Sequence, residues 1–186
     1  MLEKKENHKQ LVNLSNYKNK TVYYDLRLNK LYFSLPKGSS KNQQFYTLFL
    51  ILITLPIVRL FNNMDIFGVF VIKYLSLILF TLISIFLGNF FVKYQYRNLD
   101  LYPASFSDIE YLEYLHYEKK NLMLVFGYFI AVIFSLVISF VIYLIIGNFL
   151  SLIIYSVLLF VIYVCFANRL YMRKRVVDTL LKEIST

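Results

Sequence analysis

Residues 122–146 form an unbroken run of 25 positions without a charged side chain. Eighteen of them are Leu, Ile, Val or Phe. Each such side chain favours the bilayer centre by roughly 0.3 to 0.6 kcal/mol, so inserting the run gains on the order of 5 to 10 kcal/mol. About 20 apolar residues suffice for a helix to cross the hydrocarbon. A soluble fold of 186 residues, 59% of them apolar and only 17% charged, has too little core to hide this segment with the rest. The chain is therefore expected to be an all-α integral membrane protein.

Three more runs bring the expected number of transmembrane helices to four. Residues 45–61 are near the lower limit of length for a span, with Pro56 predicting a kink and Arg59 near the far end. Residues 66–92 are interrupted by Lys73, so 74–92 is the expected span and 66–72 a segment near the interface. Residues 149–167 follow after only Gly147-Asn148, which suits a tight turn between antiparallel helices. The resulting divisions are 1–44, a cytoplasmic arm and β-hairpin, and 45–92, a first transmembrane pair. Then come 93–121, a cytoplasmic loop, 122–167, a second transmembrane hairpin, and 168–186, a basic tail.

Lys and Arg counts orient these spans. The segment through residue 44 carries nine, the 93–121 loop four and the tail five, against Arg59 and Lys73 on the other side. Positive residues stay in the cytoplasm, so both termini and the middle loop are expected there, in a multi-pass protein of the cell membrane. The net charge of +9 is read as this topology signal. Nucleic-acid binding is set aside, because the basic residues flank apolar runs and form no basic domain. No apolar segment near Met1 resembles a cleavable signal peptide, so the later runs are expected to drive insertion.

Outside the spans, residues 1–20 read as a polar arm. Val22, Tyr24 and Leu26, then Leu31, Phe33 and Leu35, alternate with more polar neighbours, and the Asn29-Lys30 step between them predicts a β-hairpin. Residues 36–40 break the pattern as a linker. Ser107-Asp108-Ile109-Glu110 fits a helix capping box. A helix over 108–120 would align Ile109, Leu112 and Leu115, flanked by Tyr111, Tyr114 and Tyr117. It is expected to be an amphipathic interfacial helix that turns into the third span.

Chemistry is sparse. Glu113-x-x-His116, with Glu110 a turn earlier, has the spacing of a helical metal pair. A metal needs three or more convergent ligands, and the other histidine, His8, is in the arm, so a solvated helix face is the simpler reading. Cys165 and His116 both fall near cytoplasmic helix ends, which leaves a membrane cysteine peptidase as an alternative. A lone Cys among Ile, Tyr and Val is more simply an apolar filler, and its solitude excludes an intramolecular disulfide. No catalytic residue, metal or cofactor is expected, and the chain reads as non-enzymatic. Arg59 and Lys73 lie where long side chains snorkel to the headgroups, with Asp65 as a potential partner, and these three are the candidate outer-face contacts. Small residues supply the candidate packing or partner-binding positions: Ser84 and Gly88 on the second span, Ala131, Ser135 and Ser139 on the third. Such spacing lets helix backbones approach closely, first within the protein and second toward a membrane partner.

Several segments resemble the tandem five-transmembrane protein family of Gram-positive bacteria. They are Tyr23-Tyr24-Asp25-Leu26, the Lys37-Gly38-Ser39-Ser40-Lys41 linker, Pro56-Ile57-Val58-Arg59-Leu60-Phe61 before Met64-Asp65-Ile66, and Leu99-Asp100-Leu101-Tyr102-Pro103. The departure is the span count, because 66–92 is too short for two spans. The resemblance implies an immunity protein that binds a membrane-depolarising toxin of a type VII secretion system in the bilayer. The alternative partner is another membrane complex, such as a peptide or bacteriocin exporter of which this chain is an accessory subunit.

Overall fold

The computed structural model describes residues 10–35, 69–97 and 99–185, together with positions 54, 56, 58–61 and 67. These residues form a mostly α-helical protein with a small antiparallel sheet near its N-terminus. Three helices are long and apolar enough to cross a membrane. The expected first span, 45–61, lies largely outside the described residues, and its described positions are helical. The 36–40 linker lies outside them entirely.

The chain divides into two compact units. The first comprises Met1–Lys37, Phe91–Phe129 and Val164–Thr186, the second Gly38–Phe90 and Ile130–Tyr163. The sheet belongs to the first unit and has the order β1 (Leu11–Tyr17), β2 (Lys20–Asp25), β3 (Lys30–Ser34), β4 (Leu101–Pro103). Lys18 and Asn19, at φ 45° and 62°, join β1 to β2. Two left-handed residues give a hairpin turn whose twist matches the strands. Asp25 opens the next turn, its Oδ1 accepting the Arg27 and Leu28 N–H groups at 2.8 and 3.2 Å. The expected hairpin is thus β2–β3, with Val22 opposite Phe33 and Tyr24 opposite Leu31.

Residues 11–17, expected within a polar arm, are instead strand β1. Leu11, Val12 and Leu14 are buried, and that burial outweighs the polar Asn and Ser side chains between them. One group of sheet residues (Val12, Leu14, Val22, Tyr24 and Phe33) joins Tyr114, Leu115 and Leu122, and Val176, Val177 and Leu180, in one core. A second group, Leu11 and Tyr23, packs with Tyr96. The alternation explains this division, since successive strand residues face opposite ways.

Besides the helical positions within 45–61, the described residues form α1 (Phe70–Tyr96), α2 (Asp108–Ile146), α3 (Phe149–Ala167) and α4 (Leu170–Ser185). The expected interfacial helix over 108–120 is not a separate element, because α2 runs on as one helix of 39 residues. No Gly or Pro interrupts residues 115–126, and nothing else there stops a helix of good formers. Its inward face also differs from the expected one. Tyr114, Leu115, Glu118 and Leu122 are buried, whereas Ile109 is 73% exposed. The capping box forms as read: the Glu110 N–H donates to Ser107 Oγ at 3.3 Å, and the Ser107 N–H to Glu110 Oε2 at 3.4 Å. The expected tail contains α4, whose Val176, Val177 and Leu180 close the first unit's core. Arg169, at φ 56°, separates α3 from α4.

In the second unit, Gly147 at φ 71° donates its N–H to the Tyr143 carbonyl at 2.8 Å and closes α2. Asn148 Oδ1 accepts the Leu150 N–H at 2.7 Å and caps α3. The tight turn read from Gly147-Asn148 follows from these two caps. Tyr143, Phe149, Leu152 and Tyr155 are the buried centre, with Leu77, Phe80 and Leu136 against them.

Candidate functional site

The second unit is held together by hydroxyl groups set into apolar helix faces. Ser84 of α1 is buried; its Oγ donates to the Phe80 carbonyl at 2.8 Å and lies 2.6 Å from Ser156 Oγ of α3. One turn on, a Cβ at Gly88 would collide with the Tyr163 ring, so only glycine permits that approach. The Tyr143 hydroxyl lies 2.6 Å from Ser76 Oγ and donates to the Lys73 carbonyl at 3.1 Å. Ser139 Oγ donates to the Ser151 carbonyl at 3.0 Å. In hydrocarbon such contacts hold helices that have no hydrophobic incentive to associate.

The small-residue positions therefore separate. Ser84, Gly88 and Ser139 face the protein's own helices, while Ala131 and Ser135 are exposed. Phe134 and Ile138 beside them are 67% and 58% exposed. Ser156 and Tyr163 were not singled out from the sequence; Ser156 carried a signal, a hydroxyl within the 149–167 run.

Lys73 extends its ammonium to the Leu144 carbonyl at 3.1 Å. A cation there complements the negative C-terminal end of α2. Arg59 is exposed, and Asp65 lies outside the described residues, as does His8.

The residues weighed for catalysis all belong to the first unit. His116 is exposed, its Nδ1 2.9 Å from the Leu112 carbonyl, and Glu113 is exposed as well. Glu110 pairs with Lys18 at 2.6 Å. The hydrogen bonds from Lys18 and from the Ser107 backbone hold the Glu110 carboxyl below its usual range. Cys165 is a free, half-buried thiol, and no hydrogen bond among the described residues joins it to His116. No three metal-ligating side chains converge among the described residues.

The first unit contains an ion pair that the sequence concealed within Glu118-Lys119-Lys120. Glu118 is fully buried, and its Oε1 accepts from Arg173 Nε at 2.6 Å, with the Arg173 side chain 13% exposed. A buried pair of this kind joins α2 to α4, and losing either partner strands a charge.

The comparisons with known proteins add no relative: no protein-family model, curated protein or solved structure matches this chain.

Proposed function

We propose that this chain is a non-enzymatic binding protein of the cell membrane, an immunity protein that holds a membrane-depolarising toxin in a non-conducting state. The exposed Ala131–Ser135 pair carries the reading. It is the part of the small-residue stripe that the protein's own described helices leave uncovered. A partner's inserting helix would approach closely there, by backbone packing and without catalysis. The resemblance to the tandem five-transmembrane family supplies the class of partner, a toxin of type VII secretion.

The topology that goes with this function has four spans, with 45–61 as the first and both termini in the cytoplasm. Two observations support it. The basic N-terminal, middle and C-terminal segments fall within one compact unit, as segments sharing one side of a membrane would. Helix α2, at 39 residues, is about 58 Å long against roughly 30 Å of hydrocarbon. Its charged beginning would thus extend beyond the bilayer.

Co-expression with the toxin candidates of neighbouring genes in a sensitive cell, reading membrane potential, tests the function. Protection that is lost in Ala131→Leu and Ser135→Leu, with membrane insertion retained, is the expected result. Depolarisation unchanged by the chain for every candidate would overturn it, and co-purification with a transport ATPase would then favour an exporter subunit.

A further inference from the structure

Within the first unit, α2 and α4 border a cavity of about 340 Å³ lined by Lys119, Asp178, Leu181 and Lys182. Its two lysines and Asp178 are exposed. From each lysine a stripe of residues runs along its helix toward the apolar run of α2. On α2, Lys119, Met123 and Gly127 stand four residues apart, on one side of the helix. Met123 is 64% exposed, and the space beside Gly127 is open. On α4, Lys174, Asp178 and Lys182 repeat the same interval. The Lys174 ammonium lies 5.6 Å from the centre of the Phe126 ring. Phe126 is one turn into the charge-free run that begins at Leu122, so Lys174 carries a cation to the edge of the hydrocarbon. A lysine holds such a position by laying its stem on apolar surface.

These features match one class of ligand. A phospholipid places a phosphate at that edge and acyl chains along the apolar surface beyond it. Three lysines against one carboxylate favour an anionic headgroup, and basic pockets between helices at the membrane surface hold such headgroups. The cavity is also within the size range of small-ligand sites. A soluble anion would meet the lysines but make no use of exposed Met123 or the open space at Gly127.

We propose that the groove between α2 and α4 is a binding site for an anionic phospholipid. The headgroup occupies the cavity between Lys119 and Lys182, the phosphate faces Lys174, and an acyl chain lies along Met123 and Gly127. This site requires α2 to span the bilayer, but no toxin or exporter.

The chain contains no Trp, so Met123→Trp in the full-length protein gives a single indole at the site. Reconstituted in phosphatidylcholine vesicles, it is titrated with brominated phosphatidylglycerol or brominated phosphatidylcholine, which quench it on contact. Preferential quenching by the phosphatidylglycerol is expected. Adding Lys119→Gln and Lys174→Gln should lower that preference about fivefold or more, the factor that roughly one lysine at a membrane surface supplies. Removing as much charge from the β2–β3 turn, by Arg27→Gln with Lys30→Gln, should leave it unchanged. Asp178→Asn, which deletes the carboxylate, should raise it. Equal quenching by the two lipids overturns the site, as does an equal loss in both double variants. Release of the quenching by soluble glycerol phosphate would mark a site for free anions and overturn it too. Quenching by neither lipid would remove Met123 from the bilayer, and the span of α2 would fall with the site.

Discussion

The two units solve the same problem, holding distant parts of the chain together, with different interactions. The first buries Val12, Leu14, Val22, Leu115 and Val177 in an apolar core beneath a sheet, and adds a capping box and a buried ion pair. The second leaves Leu82, Phe86, Phe134 and Ile138 exposed and joins its helices through hydroxyls and a glycine. The difference follows from the solvent each suits. Where water surrounds a unit, burying apolar surface drives assembly. Where lipid does, apolar surface is neutral, and close packing with polar contacts decides.

That contrast breaks most visibly at the ion pair. Arg173→Leu leaves the Glu118 carboxylate buried without its cation, and a loss of about 3 to 5 kcal/mol is expected. Hydrogen exchange should report it as lost protection in β1, β2 and α4, with the Gly147–Asn148 caps unaffected. Next comes a matched pair of truncations. Leu115→Ala should cost about 2 to 5 kcal/mol through the cavity it opens, whereas Ile138→Ala, on an exposed face, should leave the midpoint in lipid nearly unchanged. Equal losses from the two would erase the distinction between the units.

Smaller effects sharpen the comparison. Gly88→Ala forces a methyl against the Tyr163 ring, with an expected cost of about 1 to 3 kcal/mol. Combining it with Tyr163→Ala should recover part of the loss, measured as unfolding in detergent. The smallest effect is electrostatic. Hydrogen bonding to Glu110 raises the Lys18 ammonium above its usual 10.5, and the same contact first, then the Ser107 backbone, lowers Glu110 below its usual 4.5. The carboxylate's contribution is present above pH 4.5 and fades as the pH falls through the lowered value. The ammonium's is present below 10.5 and fades as the pH rises through the raised one. Both groups are solvated, so high salt should flatten the two edges, and an acid edge in exchange at the start of α2 that ignores salt would argue against the pair.

What the sequence revealed was whatever depends on neighbours in the chain. The β2–β3 alternation, the Ser107–Glu110 box, the Gly147-Asn148 turn and the apolar runs of α1, α2 and α3 all carry their cause within a few residues. Strand β4 does not. Leu101-Tyr102-Pro103 is a strand because β3 offers it an edge, a partner some 70 residues away. The inward face of α2 was likewise hidden. Of the expected apolar side, Leu115 is buried but Ile109 and Leu112 are exposed, and Tyr114 and Leu122 join Leu115 against the sheet residues instead. In α4, Val176, Val177 and Leu180 had helical spacing, but their basic neighbours gave the segment the look of a solvated tail. Spacing alone pointed to five small-residue positions without distinguishing them, and only the packing of α3 separates inward Ser84, Gly88 and Ser139 from outward Ala131 and Ser135.

The central claim, that the exposed apolar faces of the second unit meet lipid while the sheet of the first meets water, is open to one direct measurement. Nitroxide labels at Phe86, Ile138 and Leu28, introduced singly in a Cys165→Ala background and reconstituted into vesicles, report access to oxygen and to a water-soluble nickel chelate. The labels at 86 and 138 should be relaxed by oxygen and ignored by the chelate, with the reverse at position 28. Ready access of the chelate to the label at 138 would contradict the account.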